Sequence, residues 1–533
     1  MYKKASIWSP FLCVLLAFQA INTQAVTDYV MFNTHFAKLN QDDIFNKIVT
    51  ISKNNGTIYE LLKNISEQSG YLFIYDSQVI ENDRKVKVTK GSYTLREAIY
   101  LITDNKTLRL DLSGEYILLR PANKPNISAT KDTTYEEAKN DLFIINGKLF
   151  DIDTNEDIIY ATVSIVNTSL GITTNKEGNF QFIVPDSLLN RQVRFSHIGY
   201  ESREIDIALL EGEFINFGLK PKLFELDEVV VSSSRPEPLL NDMLNNLSSN
   251  YTTAPVYLTS FYREGIGLNN KNIDLTESVL QVYKTGFKKK STSDNVKLIK
   301  KRRITNRHKT DTIFPKMSSG IYSCFVLDII KEQPEFITPQ KDSPYRYSYE
   351  GKTIIDDRTV DIISFRQKNE ISDPLFKGQI FIEKESKALV EARFEINPEF
   401  VKNATYMFID RISSKIKIEL QQAQYIVSYK LSDDGFYYIN HIRGDLRFKA
   451  RKTRQLFSSA LHFWFEMVTC QIETEDVTNF PTKERLSKTK VFSETKHNFD
   501  NNFWQNFNII LPEEELKGNI IKNLNEIIIT VDE

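Results

Sequence analysis

The sequence predicts a multi-domain, mainly β protein. A small α+β module built on a β-α-β repeat comes first, then a β-sandwich, then a large antiparallel sheet, curved or closed into a half-barrel. Three observations lead there. The 533 residues hold 35 Phe and 24 Tyr against only 19 Gly and 16 Pro, and many aromatics with few turn formers favour long strands. One helical motif occurs twice, at Thr57–Ile65 and again at Thr94–Ile102. From residue 143 onward, short runs alternate apolar and polar side chains, the period of a half-buried strand. At about 150 residues per domain, the length allows three or four domains. Hydrophobic residues at 41% and charged residues at 26% exclude wholesale disorder. Lys+Arg 68 against Asp+Glu 70 leaves a net charge of -2. No global positive field is available for a polyanion, so nucleic-acid binding is excluded as the main function.

The chain opens with Lys3 and Lys4, an apolar run from Phe11 to Phe18, and the small residues Thr23 and Ala25 around Gln24. That order is a secretory signal peptide over 1–25, with cleavage expected after Ala25. Gln19 and Asn22 interrupt the run well short of the ~20 apolar residues a spanning helix needs. Cys13 lacks the small preceding residue that lipid attachment requires, so no N-terminal lipid is expected. No later segment is long and apolar enough for a membrane helix, so none is expected in the mature chain. Two cysteines remain there, Cys324 and Cys470. One bridge could form in an oxidising compartment, but two buried free thiols are the expectation.

Residues 45–122 carry the repeat. Both copies start Thr-x-x-Glu, at Thr57 and Glu60 and at Thr94 and Glu97, the capping box that satisfies free N–H groups at a helix start. Apolar residues follow on one helical face: Ile58, Leu61, Leu62, Ile65, then Leu95, Ala98, Ile99, Ile102. Strand-like runs precede the helices (Ile48–Ile51, Lys85–Val88) and follow them (Tyr71–Tyr75, Leu108–Leu112), and Tyr116–Leu119 ends the module. This pattern, with Gln68-Ser-Gly70, resembles the secretin and TonB short N-terminal (STN) domain. The resemblance implies a periplasmic docking module that touches another envelope protein, of the TonB system or of anti-sigma type.

A polar stretch, 123–142, reads as a linker. Over 143–222, alternating runs separated by turn residues indicate a small sandwich, with a hairpin turn at Asn175–Gly178 where Gly178 takes a positive φ. Gly147, Ala161, Val163, Gly171, Gly178, Phe180 and Gly199-Tyr200 resemble the carboxypeptidase-regulatory-like domain, which implies a transthyretin-like β-sandwich without catalysis of its own. The run Leu226–Val231 is similar to the one that closes this sandwich in SusC-like receptors, where a plug and barrel follow. About 300 residues remain here, too few for a 22-stranded barrel with its loops, and the chain ends in Val531-Asp-Glu533 rather than an aromatic. The front therefore looks like a TonB-dependent receptor and the back departs from that family.

Residues 255–533 alternate repeatedly, as in Val360–Phe365, Gly378–Ile382, Leu389–Ile396 and Tyr425–Tyr429, with Lys384–Lys387 as a hairpin loop. One long antiparallel sheet is expected. Its apolar face should pack closed, or remain a partly open, aromatic-lined cleft with Phe503–Phe507 as the candidate lid. Phe376–Glu383 followed by Ala388–Ala392 resembles periplasmic lipoprotein carriers, and Phe499–Leu516 resembles the tail of uncharacterised Bacteroidetes envelope proteins.

A search for chemistry nominates no catalytic, cofactor-binding or metal residue, and no cofactor. None of His35, His197, His308, His441, His462 and His497 belongs to H-E-x-x-H, and no C-x-x-C, G-x-S-x-G, P-loop or G-x-G-x-x-G occurs. Asp151-x-Asp153-x-Asn155-x-Asp157 has the early spacing of a calcium loop, but Glu156 and Thr162 stand where Gly and Glu are required, so it reads as an acidic connection. Residues 284–309 are strongly basic. They read as a solvated strand edge, or as a patch for lipid or lipopolysaccharide headgroups at the mouth of a cleft. The expectation is a non-enzymatic, envelope-located protein, exported across the inner membrane to the periplasm, free there or associated with the outer membrane. Its alternatives are a lipid or amphipathic-ligand carrier and a hydrolase with a site assembled from distant residues.

Overall fold

The computed structural model describes residues 44–76, 80, 84–113, 116–121, 143–210, 214–222, 236–269, 271–305, 316–317, 319–411, 413–453, 457–490, 492, 495 and 507–513. The signal peptide, the linker, Leu226–Val231, His35, His308 and His497 lie outside them. Two compact units result, one within 1–135 together with Phe214–Asn216, the other within 136–213 and 217–533.

The first unit runs β1 (Ile48–Ile51), β2 (Asn55–Thr57), α1 (Ile58–Ser69), β3 (Leu72–Asp76), β4 (Lys85–Lys87), β5 (Gly91–Thr94), α2 (Leu95–Thr103), β6 (Leu108–Ser113) and β7 (Tyr116–Pro121). Both capping boxes form: the Thr57 and Thr94 hydroxyls accept from Glu60 and Glu97 N–H groups, and each Glu carboxylate accepts from its threonine's N–H. Gly70, at φ 80, ends α1 in the left-handed conformation a side chain would resist. The two repeats are interleaved. β1 pairs antiparallel with β5 and β2 with β4, so each copy completes the other's ribbon. β3 lies parallel to β7, and β7 antiparallel to β6. The apolar stripes of α1 and α2 share one core. The three-residue β2 and the four-residue β5, directly before each helix, carry too little alternation to be read from sequence.

The second unit begins with the sandwich, whose strands are β8 (Phe143–Asp151), β9 (Thr162–Ile165), β10 (Gly171–Thr173), β11 (Asn179–Val184), β12 (Gln192–Ser196), β13 (Arg203–Asp206) and β14 (Phe214–Leu219), the last with only Phe217–Leu219 in this unit. Its strands divide into the layers β10-β9-β12-β13 and β11-β8-β14. Phe180, Phe195 and Phe217 pack between them with tilted rings, their centroids 5.6 and 4.8 Å apart. Full burial of each is worth about 2 kcal/mol. Gly178 takes φ 71, and a Cβ there would meet the Leu149 carbonyl at 2.4 Å, so the hairpin requires glycine.

The rest of the second unit is organised by one ten-stranded sheet. In chain order the elements are α3 (Pro236–Asn245), α4 (Leu247–Asn250), β15 (Val256–Leu268), β16 (Lys271–Lys284), β17 (Asn295–Thr305), β18 (Lys316–Met317), α5 (Gly320–Val326), α6 (Ile329–Glu332), β19 (Tyr345–Ile355), β20 (Arg358–Gln367), β21 (Phe376–Glu383), β22 (Leu389–Ile396), β23 (Ile409–Arg411), β24 (Ile416–Leu431), β25 (Tyr437–Lys452) and β26 (Ser459–Glu473). The order is β17-β16-β15-β26-β25-β24-β22-β21-β20-β19, antiparallel throughout. The edge strands β17 and β19 do not meet, so the sheet is no closed barrel. Strict alternation places Leu258, Tyr262, Leu280, Ile363, Ile380, Val427 and Phe465 on one apolar face. Helices α3 to α6 cover it with Leu240, Met243, Leu247, Ile321, Phe325, Ile329 and Ile330, while Val401 and Ala404 of a 3₁₀ turn extend the cover. Phe336 stacks on Phe365 at 4.6 Å, and Phe394 on Tyr425 at 5.3 Å. A cavity on this face, among Tyr251, Tyr429, Tyr437 and Tyr438, measures about 30 Å³, room for about two waters.

The apolar face is thus roofed by helices that precede β15 or lie between β18 and β19, not by the expected lid. Phe507 instead packs on the opposite face with Phe261, Val279, Val468, Cys470, Ile509 and Ile510; 503–506 lie outside the described residues. Cys324 and Cys470 are both buried and free.

Candidate functional site

The second face of the sheet carries the unusual chemistry. Strand register sets Arg302, Glu277, Arg263, Glu466 and Arg443 directly opposite one another across β17, β16, β15, β26 and β25. The charges alternate along that row. The Arg302 guanidinium donates to Glu277 at 2.5 Å, and Arg263 lies 3.5 Å from Glu277 on its other side. Arg263 donates twice to one Glu466 oxygen, at 3.0 and 2.7 Å, and Arg443 donates to the other at 2.8 Å. Beyond it Arg443 reaches Asp445 at 3.3 Å, and His462 Nε2 lies 2.7 Å from Asp445. Arg263 and Glu466 are each 2% exposed, a degree of burial a charge tolerates only when paired. Burial alone would raise the Glu466 carboxyl, but the two guanidinium groups and His441 hold it well below the usual range. Asp445 is lowered likewise: burial opposes ionisation, and His462 and Arg443 overcome it.

The sandwich roofs this row. Tyr160 places its ring 5.4 Å from the Arg443 guanidinium and 4.9 Å from the His441 ring. Trp464 lies beneath both Arg263 and Arg443, at 5.5 and 5.0 Å. Gly265, opposite Trp464, leaves room for it, since a Cβ would come within 2.5 Å of the indole. Lys176 of the sandwich sits 3.8 Å from both Asp445 and Glu513. Asn440 donates to the Thr162 hydroxyl at 3.0 Å. From the tail, the Asn508 side chain accepts from Ile183 N–H at 2.6 Å and donates to Ile183 C=O at 3.0 Å, copying a strand partner at the β11 edge.

Beside the row, sandwich and sheet enclose a polar cleft of about 50 Å³ lined by Ser164, His197, Asp356, Lys430 and others. Burial pushes the His197 imidazole down to about 4 and the Lys430 ammonium down to about 8. His197 therefore has a pH signature. Its folded value lies below the ordinary 6.5, so its contribution to stability is complete above 6.5 and is lost as pH falls towards 4. A His197→Gln variant should lose less stability than the parent across that acid interval, which urea melts at pH 7 and 4.5 would read. Farther along the same face, β19 to β22 and β24 present a shallow polar groove of about 690 Å³. Its carboxylates are engaged: Glu350 accepts from Gln379 at 2.5 Å, and Glu395 from Gln424 at 3.1 Å.

The residues singled out by sequence fare differently. The Asp151 carboxylate accepts from the N–H groups of Asp153 and Thr154 and from the Tyr200 hydroxyl, and Asp157 pairs with Lys148 at 2.6 Å, so the acidic loop is tied into the sandwich. Among the described residues no group of three or more His, Cys, Asp or Glu is arranged to hold a metal. The basic stretch is largely the edge strand β17 and its approach, and much of its charge is matched. Lys284 pairs with Asp328, Lys297 with Glu484, Arg302 with Glu277 and Arg303 with Asp274. The apolar face beside it is roofed, so the stretch does not line the mouth of an open cleft there; 306–309 lie outside the described residues. Sequence reasoning missed the charge row. Its signal was a charge inside an aromatic run, Phe261-Tyr-Arg263 and Phe463-Trp-Phe-Glu466.

Residues 145–231 match the CarboxypepD_reg-like domain family. The CarboxypepD_reg-like sandwich is therefore the layer that covers the charge row. No curated protein matches the chain. Among solved structures, the chain is similar to a DUF1329 family protein from Desulfovibrio piger (11% identity, 46% of this chain and 96% of that one, TM-score 0.20). It is also similar to a LolA superfamily protein from Nitrosomonas europaea (8%, 47% and 97%, TM-score 0.18) and to a lipovitellin described for its lipid–protein interactions (8%, 46% and 28%, TM-score 0.21). Among the described residues no helix is long and apolar enough to cross a membrane.

Proposed function

We propose that the chain is a non-enzymatic protein of the bacterial cell envelope, exported to the periplasm, free there or associated with the outer membrane. In this reading residues 45–122 dock an envelope partner, of the TonB system or of anti-sigma type, the sandwich is a spacer and the large sheet is a binding or assembly domain. The observation that carries it is the alternating charge row beneath the CarboxypepD_reg-like sandwich. Both oxygens of Glu466 are occupied by arginines, so the His, Glu and Asp groups gathered there serve to join sandwich to sheet rather than to move protons. A general acid or base needs the opposite, a carboxyl poised near the working pH. The interleaved repeat supports docking, because a compact unit with its own core can carry its own binding surface.

Affinity capture from envelope fractions tests the reading. The full chain should retain a partner that a variant lacking 45–122 loses, with the remaining unit still melting cooperatively. The same capture profile from both would overturn docking by this module.

A further inference from the structure

The far end of the β24–β25 hairpin combines three features that a merely structural tip would avoid. β22 pairs with β24 only over Gln424–Ser428, so Ile416–Gln422 has β25 as its one strand partner among the described residues and projects beyond its other neighbour. Along this projection Ile416, Ile418, Leu420, Phe448 and Ala450 face the core, while Lys417, Lys449 and Arg451 are exposed. Lys417 lies directly opposite Arg451. Like charges in that position repel and weaken a ribbon. Among the described residues neither has a salt bridge, nor has neighbouring Lys415. Arg447–Lys452 contains four basic residues and no acidic one.

Large apolar side chains stand in water at the same end. Phe457 is 87% exposed, Tyr406 72% and Met407 69%. Register brings them to the tip. Thr453 N–H donates to Lys415 C=O at 2.7 Å, and Ser459 pairs with Ala450, so Phe457, two residues before Ser459, lies at the same end of the ribbon as the Lys417–Arg451 pair. The turn bearing Tyr406 and Met407 is tied to the projecting strand by Leu420 N–H donating to Thr405 Oγ1 at 3.0 Å and by Lys402 lying 3.2 Å from Glu419.

We propose that this tip docks on an anionic lipid surface, with Phe457, Tyr406 and Met407 entering the headgroup layer and Lys415, Lys417, Lys449 and Arg451 binding lipid phosphates. Exposed apolar side chains and basic residues at one end of the sheet match that interface in both polarity and charge. An anionic surface also relieves the Lys417–Arg451 repulsion that the free protein carries. The proposal is independent of the partner assigned to residues 45–122.

Co-sedimentation of the full chain with vesicles tests it. Binding is expected to mixed phosphatidylethanolamine and phosphatidylglycerol vesicles at low salt, to fall with added salt, and to be absent with phosphatidylcholine alone. Arg451→Glu is the decisive variant, because it makes an opposite-charge pair with Lys417. Its melting temperature should hold or rise while vesicle affinity drops about tenfold or more, since each basic residue near such a surface is worth about fivefold. The indole fluorescence of a Phe457→Trp variant should be quenched by brominated lipid. Unchanged binding in Arg451→Glu, or no binding at all, overturns the proposal. So does a Phe457→Trp variant whose added fluorescence no lipid quenches while polyglutamate competes for the protein, which would assign the tip to an acidic protein instead.

Discussion

Glu466→Ala is expected to destabilise the second unit by about 3–5 kcal/mol, because it strands two buried guanidinium groups without a counter-charge. Arg263 and Arg443 lie on either side of Glu466 and are themselves almost fully buried. Removing the carboxylate leaves like charges facing each other beneath Tyr160 and above Trp464, where water has little access. The loss should exceed that from deleting an exposed pair such as Lys297 with Glu484, which is worth less than about 1 kcal/mol. Denaturant melts of the full chain measure both. A triple change of Arg263, Glu466 and Arg443 to Leu, Met and Leu should recover much of the loss, since a buried ionic group can be replaced by apolar residues of similar volume. Should Glu466→Ala melt like the parent, the row does not hold the two layers together.

Glu264→Gln is expected to stabilise the protein, and only at the alkaline side. Burial under α5 raises the Glu264 carboxyl to about 7, although the Tyr262 hydroxyl donates to it at 2.6 Å and thereby favours ionisation. The folded value lies above the ordinary 4.5, so stability is complete below 4.5 and is lost as pH rises through 7. The full loss is about 3 kcal/mol at 1.36 kcal/mol per unit. Glutamine accepts the same Tyr262 hydrogen bond and carries no charge to desolvate. The gain should therefore be near zero at pH 4.5, grow to pH 7 and then level off. His197 slopes the other way over much of that interval, so the parent's profile should be flatter there than that of either single variant.

Local order was legible wherever one short segment carried its own signal. Thr57, Glu60, Thr94 and Glu97 mark two helix starts without reference to anything distant. The alternation of Leu389–Ile396 or Tyr425–Tyr429 identifies strands and their apolar face, though the second run is only part of the longer β24. What covers each face was not legible. Helices α5 and α6 span only seven and four residues, too short for helical periodicity, and their stability comes from the sheet they roof. The polar positions of β15, β16, β25 and β26 carried no sign of being covered, because nothing in one strand shows that a sandwich far upstream in the chain lies over it. The basic stretch misled for the same reason: Asp274, Glu277 and Asp328, which neutralise parts of it, are supplied by β16 and the start of α6.

The Asn508 clasp has a consequence for biogenesis. It supplies the missing strand partner at the β11 edge across a separation of 325 residues. During synthesis the sandwich leaves the ribosome long before that asparagine exists. An unfilled strand edge is a template for intermolecular pairing, and contacts this distant in sequence form late. In a folding molecule the β11 border thus stays open until the tail has docked on it. In the proposed envelope location, export must bridge that interval, and a periplasmic holdase that shields bare strand edges is the kind of helper this chain would call on most.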